Sequence, residues 1–112
     1  MSHHTIVIPA PDLAAATAFY RLAWGTEPHT ETPYYVGFNL DGQEIGLNPR
    51  GERDQMTGPV VYWATDDLAA KVAEVEAAGG TVVRPLTEVG GGTSLELLTD
   101  PVGNQVAFIT QV

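Results

Sequence analysis

The sequence predicts an α+β fold of two tandem βαβββ modules, their curved mixed sheets enclosing a cleft and their helices on the outer faces. Three observations predict it. The stretches "DLAAATAFYRLAWGT" from Asp12 and "DLAAKVAEVEAAGGT" from Asp67 open and close alike, half a chain apart. Each follows a run rich in β-branched and aromatic residues, "TIVIPA" or "VVYWAT", the composition of a strand. Each is followed by further strand-like runs, the last two joined by a turn, "DG" in the first half and "DPVGN" in the second.

Taken in order, the first strand starts at Thr5 and is stopped by Pro9 and Pro11, which cannot donate to a ladder. Asp12 stands where an N-cap belongs. Leu13, Ala16, Phe19, Tyr20 and Ala23 recur at helical spacing after it, and Gly25 closes the helix. Strands are expected at about 27–32, 34–40 and 43–48. "PRGERDQMTGP" reads as a surface linker, polar with Gly and Pro at both ends. The first module therefore spans about 1–49, the linker about 50–58 and the second module about 59–112, within a single domain. In the second module Asp67 caps a helix with Leu68, Val72 and Val75 on its apolar side, and Gly79 and Gly80 end it. "TVVRP" reads as a short strand, "VGGGT" as a flexible loop, and "SLELLT" and "QVAFIT" as the closing strands.

Composition excludes several classes of function. The 112 residues suffice for one core but not for two independent ones. Fourteen acidic against five basic residues give a net charge of −9, which argues against nucleic acid, whose phosphates are bound by Lys and Arg. No apolar run approaches membrane-spanning length, and no signal-peptide pattern opens the chain, so the cytoplasm is the expected compartment. The absence of cysteine removes disulfides, thiolate metal sites and cysteine nucleophiles. No Ser-His-Asp arrangement or dinucleotide fingerprint stands out, and "GGG" does not lead into a helix as a phosphate loop would.

The order and duplication of "IPAPDLAAATAFY", "DGQEIGLNP", "YWATDDLAAKVAEVEAAGGTVVRP" and "DPVGNQVAFI" resemble the vicinal oxygen chelate superfamily, which includes glyoxalase I, bleomycin-resistance proteins and extradiol dioxygenases. The resemblance covers essentially the whole chain. It implies metal ligands of the His, Glu or Gln type at the start of the first strand and within the last strand of each module. The matching positions here are Thr5, Gly46, Val60 and Ala107. One hydroxyl among them does not hold a divalent ion, so no metal and no other cofactor is expected. His4 adjoins Thr5 but alternation points it to the opposite face. His3 and His4 sit at a terminus where a tag remnant is an alternative reading. His29 reads as a surface histidine.

Alternation then gives the expected ligand-binding lining: Thr5, Val7, Glu44, Asn48, Val60, Tyr62, Gln105 and Ala107. Ile6, Ile8, Val61 and Trp63 are expected to pack against the helices. Glu44 is the candidate general base, with no second acid, histidine or lysine expected beside it. Trp24, Tyr34, Tyr35, Tyr62 and Trp63 are candidates for stacking on an aromatic ligand. The function read from these residues and the resemblance is metal-free binding of a small organic molecule, an antibiotic or metabolite, by a homodimer. The alternatives are a glyoxalase-like lyase or dioxygenase, and a metal-independent isomerase or epimerase acting through Glu44.

Overall fold

The computed structural model describes residues 4–111; His3 lies outside them. The element order is β1 (His4–Pro9), α1 (Leu13–Trp24), β2 (Thr30–Thr32), β3 (Tyr35–Leu40), β4 (Gln43–Asn48), β5 (Val60–Ala64), α2 (Leu68–Ala77), β6 (Thr81–Gly90), β7 (Thr93–Thr99) and β8 (Gln105–Gln111). This is an α+β fold in which the βαβββ order occurs twice. The chain divides into two compact units, one over Thr5–Pro59 and a second that begins at Val60 and takes in His4.

In the first module the strand order is β2-β3-β4-β1. β1 runs parallel to β4, and β4, β3 and β2 are antiparallel neighbours. The β3–β4 hairpin turns on Asp41 and Gly42, both at positive φ (53° and 93°), the geometry for which "DG" is suited. Asp12 caps α1 by accepting from the Ala15 N–H at 3.0 Å, and Gly25 ends it in the left-handed region (φ 63°). Leu13, Ala16, Tyr20 and Trp24 of α1 pack, with Ile8, on Ala10, Val36, Phe38 and Leu47. Burying a side chain such as Phe38 or Leu47, both fully enclosed, stabilises by about 1.5–3 kcal/mol.

Two expectations for α1 are corrected. Phe19 is 63% exposed and Ala23 is exposed too, because the seam runs through Leu13, Ala16, Tyr20 and Trp24. At 3.6 residues per turn Phe19 lies roughly a third of a turn from its centre. Trp24 belongs to the core, stacked on Tyr20 at 4.3 Å and edge-on to Phe38 at 5.1 Å.

The second module repeats the plan with strand order β5-β8-β7-β6, β5 parallel to β8 and the rest antiparallel. Asp67 caps α2 through the Ala70 N–H at 3.0 Å. Leu68, Val72 and Val75 pack on Val82, Leu98, Val106 and Phe108. "TVVRP" is the start of a ten-residue strand, β6, that runs through Pro85 with three register shifts against β7. A proline is tolerated there because β6 is an edge strand. "VGGGT" is a tight turn between Gly90 and Thr93, with Gly90, Gly91 and Gly92 all at positive φ, a conformation glycine adopts freely. Trp63 pairs in register with Phe108 but is 40% exposed. Its ring lies 5.0 Å from that of His4.

The segment read as a polar linker is folded. The Asp54 N–H donates to the Arg50 carbonyl and the Met56 N–H to the Gly51 carbonyl, and both Gly51 and Met56 are buried. Pro9 fills the space a side chain at Gly51 would need.

Candidate functional site

The register of the first module sorts its residues by face. Ile6, Ile45 and Phe38 form one cross-strand row, and Ile8, Leu47 and Val36 another. Ile8, Leu47, Val36 and Phe38 meet α1, which makes this the helix-covered face. Alternation puts Thr5, Val7 and Pro9 with Glu44, Gly46 and Asn48 on the other face, and with them Tyr35, Gly37 and Asn39.

Gly37 and Gly46 are direct cross-strand partners, so β3 and β4 present no side chain at the middle of this face. Tyr35 fills the gap: its ring and hydroxyl occupy the space a Cβ on Gly46 would take. A Cβ on Gly37 would lie 2.7 Å from Glu44 Oε2, 2.8 Å from Tyr35 Cε2 and 3.0 Å from His29 Cε1. The three side chains therefore converge over two glycines.

They are bonded to one another. The Tyr35 hydroxyl donates to Glu44 Oε2 at 2.7 Å. His29 Nε2 lies 2.7 Å from Glu44 Oε1 and 3.0 Å from Oε2. His29 Nδ1 meets Thr30 Oγ1 at 2.8 Å, and the His29 backbone N–H donates to the Gly37 carbonyl at 2.9 Å. A carboxylate only accepts, so Nε2 is the donor to Glu44; in the tautomer that places its one proton there, Nδ1 accepts from the Thr30 hydroxyl. Burial, followed by the hydrogen bond to Glu44 and its charge, pushes the Tyr35 phenol far above its ordinary range. The side chain of Glu44 is 28% exposed and that of His29 45%, so the cluster opens to solvent on the imidazole side.

Glu44 thus does have a histidine beside it, contrary to the expectation of none. Tyr35 was legible: the "DG" turn fixes β3 against β4, and alternation puts Tyr35 on the face of Glu44. His29 was not, because it precedes β2 and is placed by its backbone bond to Gly37. Asn48 has its side chain committed elsewhere. Its amide donates to Asp54 Oδ2 at 3.0 Å and its carbonyl oxygen accepts from the Arg50 N–H at 2.9 Å, which ties the 50–56 segment to β4.

In the second module Tyr62, Ala107 and Leu97 form a row on the face opposite α2, and alternation adds Val60 and Gln105 to that face. Val60 and Ala107 are buried, as are Leu95 and Leu97. Gln105 pairs with Thr99 and is half-buried, like Tyr62.

The four positions at which the resemblance implies metal ligands do not fit a divalent ion. Thr5 is a hydroxyl, the space at Gly46 is filled by Tyr35, and Val60 and Ala107 are apolar and buried. Among the described residues, no three His, Cys, Asp or Glu side chains group to hold a metal ion.

A family model for the Glyoxalase/Bleomycin resistance protein/Dioxygenase superfamily matches residues 2–108. In an alignment that covers 84% of this chain, the sequence is 31% identical to the anthracycline biosynthesis protein DnrV of Streptomyces peucetius. The match spans 41% of that protein. A Legionella pneumophila structure described as NAD-dependent benzaldehyde dehydrogenase superposes with a TM-score of 0.81 at 15% identity, covering 98% of this chain and 100% of its own. A glyoxalase/bleomycin resistance protein/dioxygenase superfamily member from Vibrio splendidus 12B01 gives 0.76 at 17% identity, covering 100% of both chains. These structural likenesses concern the fold. No helix among the described residues is long and apolar enough to cross a membrane.

Proposed function

Because this chain belongs to the glyoxalase/bleomycin resistance protein/dioxygenase superfamily, we propose that it binds a small organic molecule, without a metal, on the first module's sheet face opposite α1. The observation that carries the reading is Glu44, held by Tyr35 and His29 over a floor of two glycines. A carboxylate fixed by two neighbours is pre-organised to accept from a donor or cationic group on a ligand, with no ordering cost at binding. Tyr35 offers an aromatic surface beside it. The relative named for anthracycline biosynthesis makes an anthracycline the first ligand to try.

The test is a thermal-shift screen that includes an anthracycline beside neutral and cationic aromatic compounds. A ligand at 100 times its dissociation constant raises stability by about 2.7 kcal/mol. Glu44→Gln should weaken a cationic hit and leave a neutral one nearly unchanged. A hit whose affinity ignores both Glu44→Gln and Tyr35→Phe overturns this placement of the site.

A second reading, a metal-independent isomerase or epimerase, is favoured by the imidazole lying on both oxygens of Glu44. Glu44 would take the proton from a carbon acid onto its own carboxylate, with the His29 Nε2–H and the Tyr35 hydroxyl holding that carboxylate in position. Deuterium exchange into the screened hits, followed by NMR, tests it: exchange abolished by Glu44→Gln supports catalysis, and no exchange leaves binding as the function.

A further inference from the structure

We propose that the groove lined by Pro11, Pro49, Arg50, Glu52 and Arg53 is an anion-binding site that takes a phosphate or carboxylate group of a small molecule. The site is distinct from the Glu44 cluster, and the proposal does not depend on that reading. The groove is open, with a volume of about 490 Å³, and lies within the first compact unit.

Charge distribution is the first argument. The chain carries five basic residues against fourteen acidic ones, yet two of the five line this one groove. Their convergence follows from the local fold. The Asp54 N–H bonds the Arg50 carbonyl and the Gln55 N–H the Glu52 carbonyl, so 50–55 is wound into a turn. Arg50 and Arg53, three residues apart in that turn, both reach the groove.

The state of Arg50 is the second argument. Arg21 is paired with Glu27 and Glu31, Lys71 with Glu74, and Arg53 with Asp54. Among the described residues no carboxylate is paired with Arg50. Its guanidinium instead lies over the ring of Tyr34, 5.1 Å from the centroid, which holds the planar fork in place without using its N–H donors. Its backbone is fixed as well, since the Arg50 N–H donates to Asn48 Oδ1. A guanidinium that is oriented but unneutralised, in a strongly acidic protein, is suited to bidentate capture of an oxyanion. Glu52 opposes the anion and sets a limit on affinity. Asp54 is shared: its Oδ2 accepts from Asn48 Nδ2 and its Oδ1 pairs with Arg53, so Arg50 is the arginine of this groove left to meet an anion.

The experiment follows ¹H–¹⁵N spectra of the full chain as inorganic pyrophosphate or, separately, succinate is added at ionic strength held constant with sodium chloride. Saturable shifts are expected at the Arg50 and Arg53 side-chain N–H groups and along 50–55. Saturation with pyrophosphate alone identifies a phosphate group, and with succinate a carboxylate. Arg50→Ala should weaken the binding about tenfold, the loss of one charge-assisted hydrogen-bonded contact. Arg50→Lys should retain part of it, and Glu52→Gln should tighten it. Unperturbed spectra elsewhere establish that the variants fold. Shifts that stay linear in both arms, or an affinity indifferent to Arg50→Ala, would overturn the proposal.

Discussion

Gly46 and Tyr35 form a pair in which one residue's missing side chain makes room for the other's ring. Gly46→Ala should therefore destabilise the protein by about 1–3 kcal/mol, as overpacking of a filled site does. The effect belongs to the pair, so it should shrink in a Tyr35→Ala background, where the space is vacant. Urea midpoints of the two single variants and the double variant measure this; equal costs in both backgrounds would count against the packing described. Tyr35 also makes a pH prediction. Its phenol is raised from the ordinary 10.0 in the folded state, so above about pH 10 the unfolded chain loses its proton first. Stability contributed by the neutral phenol is complete below that pH and declines as pH rises toward the folded-state value. Absorbance titration should show a tyrosine ionising far above the ordinary phenol range, and Tyr35→Phe should remove both that ionisation and its share of the alkaline loss.

At the scale of elements, both helices begin on the same device. Asp12 and Asp67 each accept from the N–H three residues on, and replacing either with Ala should cost about 0.5–2 kcal/mol. Thermal melts of the two variants check it, and each cost should vanish with Asn, which caps as well. The turn 100–104 is held similarly, with Asp100 Oδ1 accepting from the Val102 and Asn104 N–H groups, both at 2.9 Å. Hydrogen bonding, chiefly at Asn104, keeps the Asp100 carboxyl below its ordinary 3.8. Its contribution is present above that value and is lost as pH falls below it. The element-level expectations that failed did so for one reason. Pro85 makes β6 look short in the sequence, and the polarity of about 50–58 makes that stretch look like a linker. An edge strand tolerates a proline, and a turn held by Asn48 needs little apolar surface, but both facts depend on neighbours distant in sequence.

At the scale of the molecule, we propose a homodimer. β2 and β6 occupy the ends of their sheets, and β6 exposes Leu86 and Val89, an edge that a second copy could cover. Sedimentation at micromolar concentration should give twice the chain mass; a monomer would refute it. The purified protein should also carry less than stoichiometric zinc, manganese, nickel or iron, and a chelator should leave its melting temperature unchanged. One equivalent of metal that survives dialysis, and is lost on Glu44→Gln, would reverse the reading of the site.

The duplicated βαβββ order, both N-caps, the "DG" hairpin and the face on which Glu44 lies are legible in the amino-acid sequence, because each depends on contacts within a few residues or on strict alternation. What surrounds Glu44 comes from segments that meet only in the folded chain. His29 arrives from outside the β3–β4 hairpin, placed by its hydrogen bond to Gly37, and Arg50 and Asn48 are partnered through a turn that no periodicity announces. Local pattern specifies which way a side chain points; which other side chain it meets depends on the packing of segments far apart in the chain.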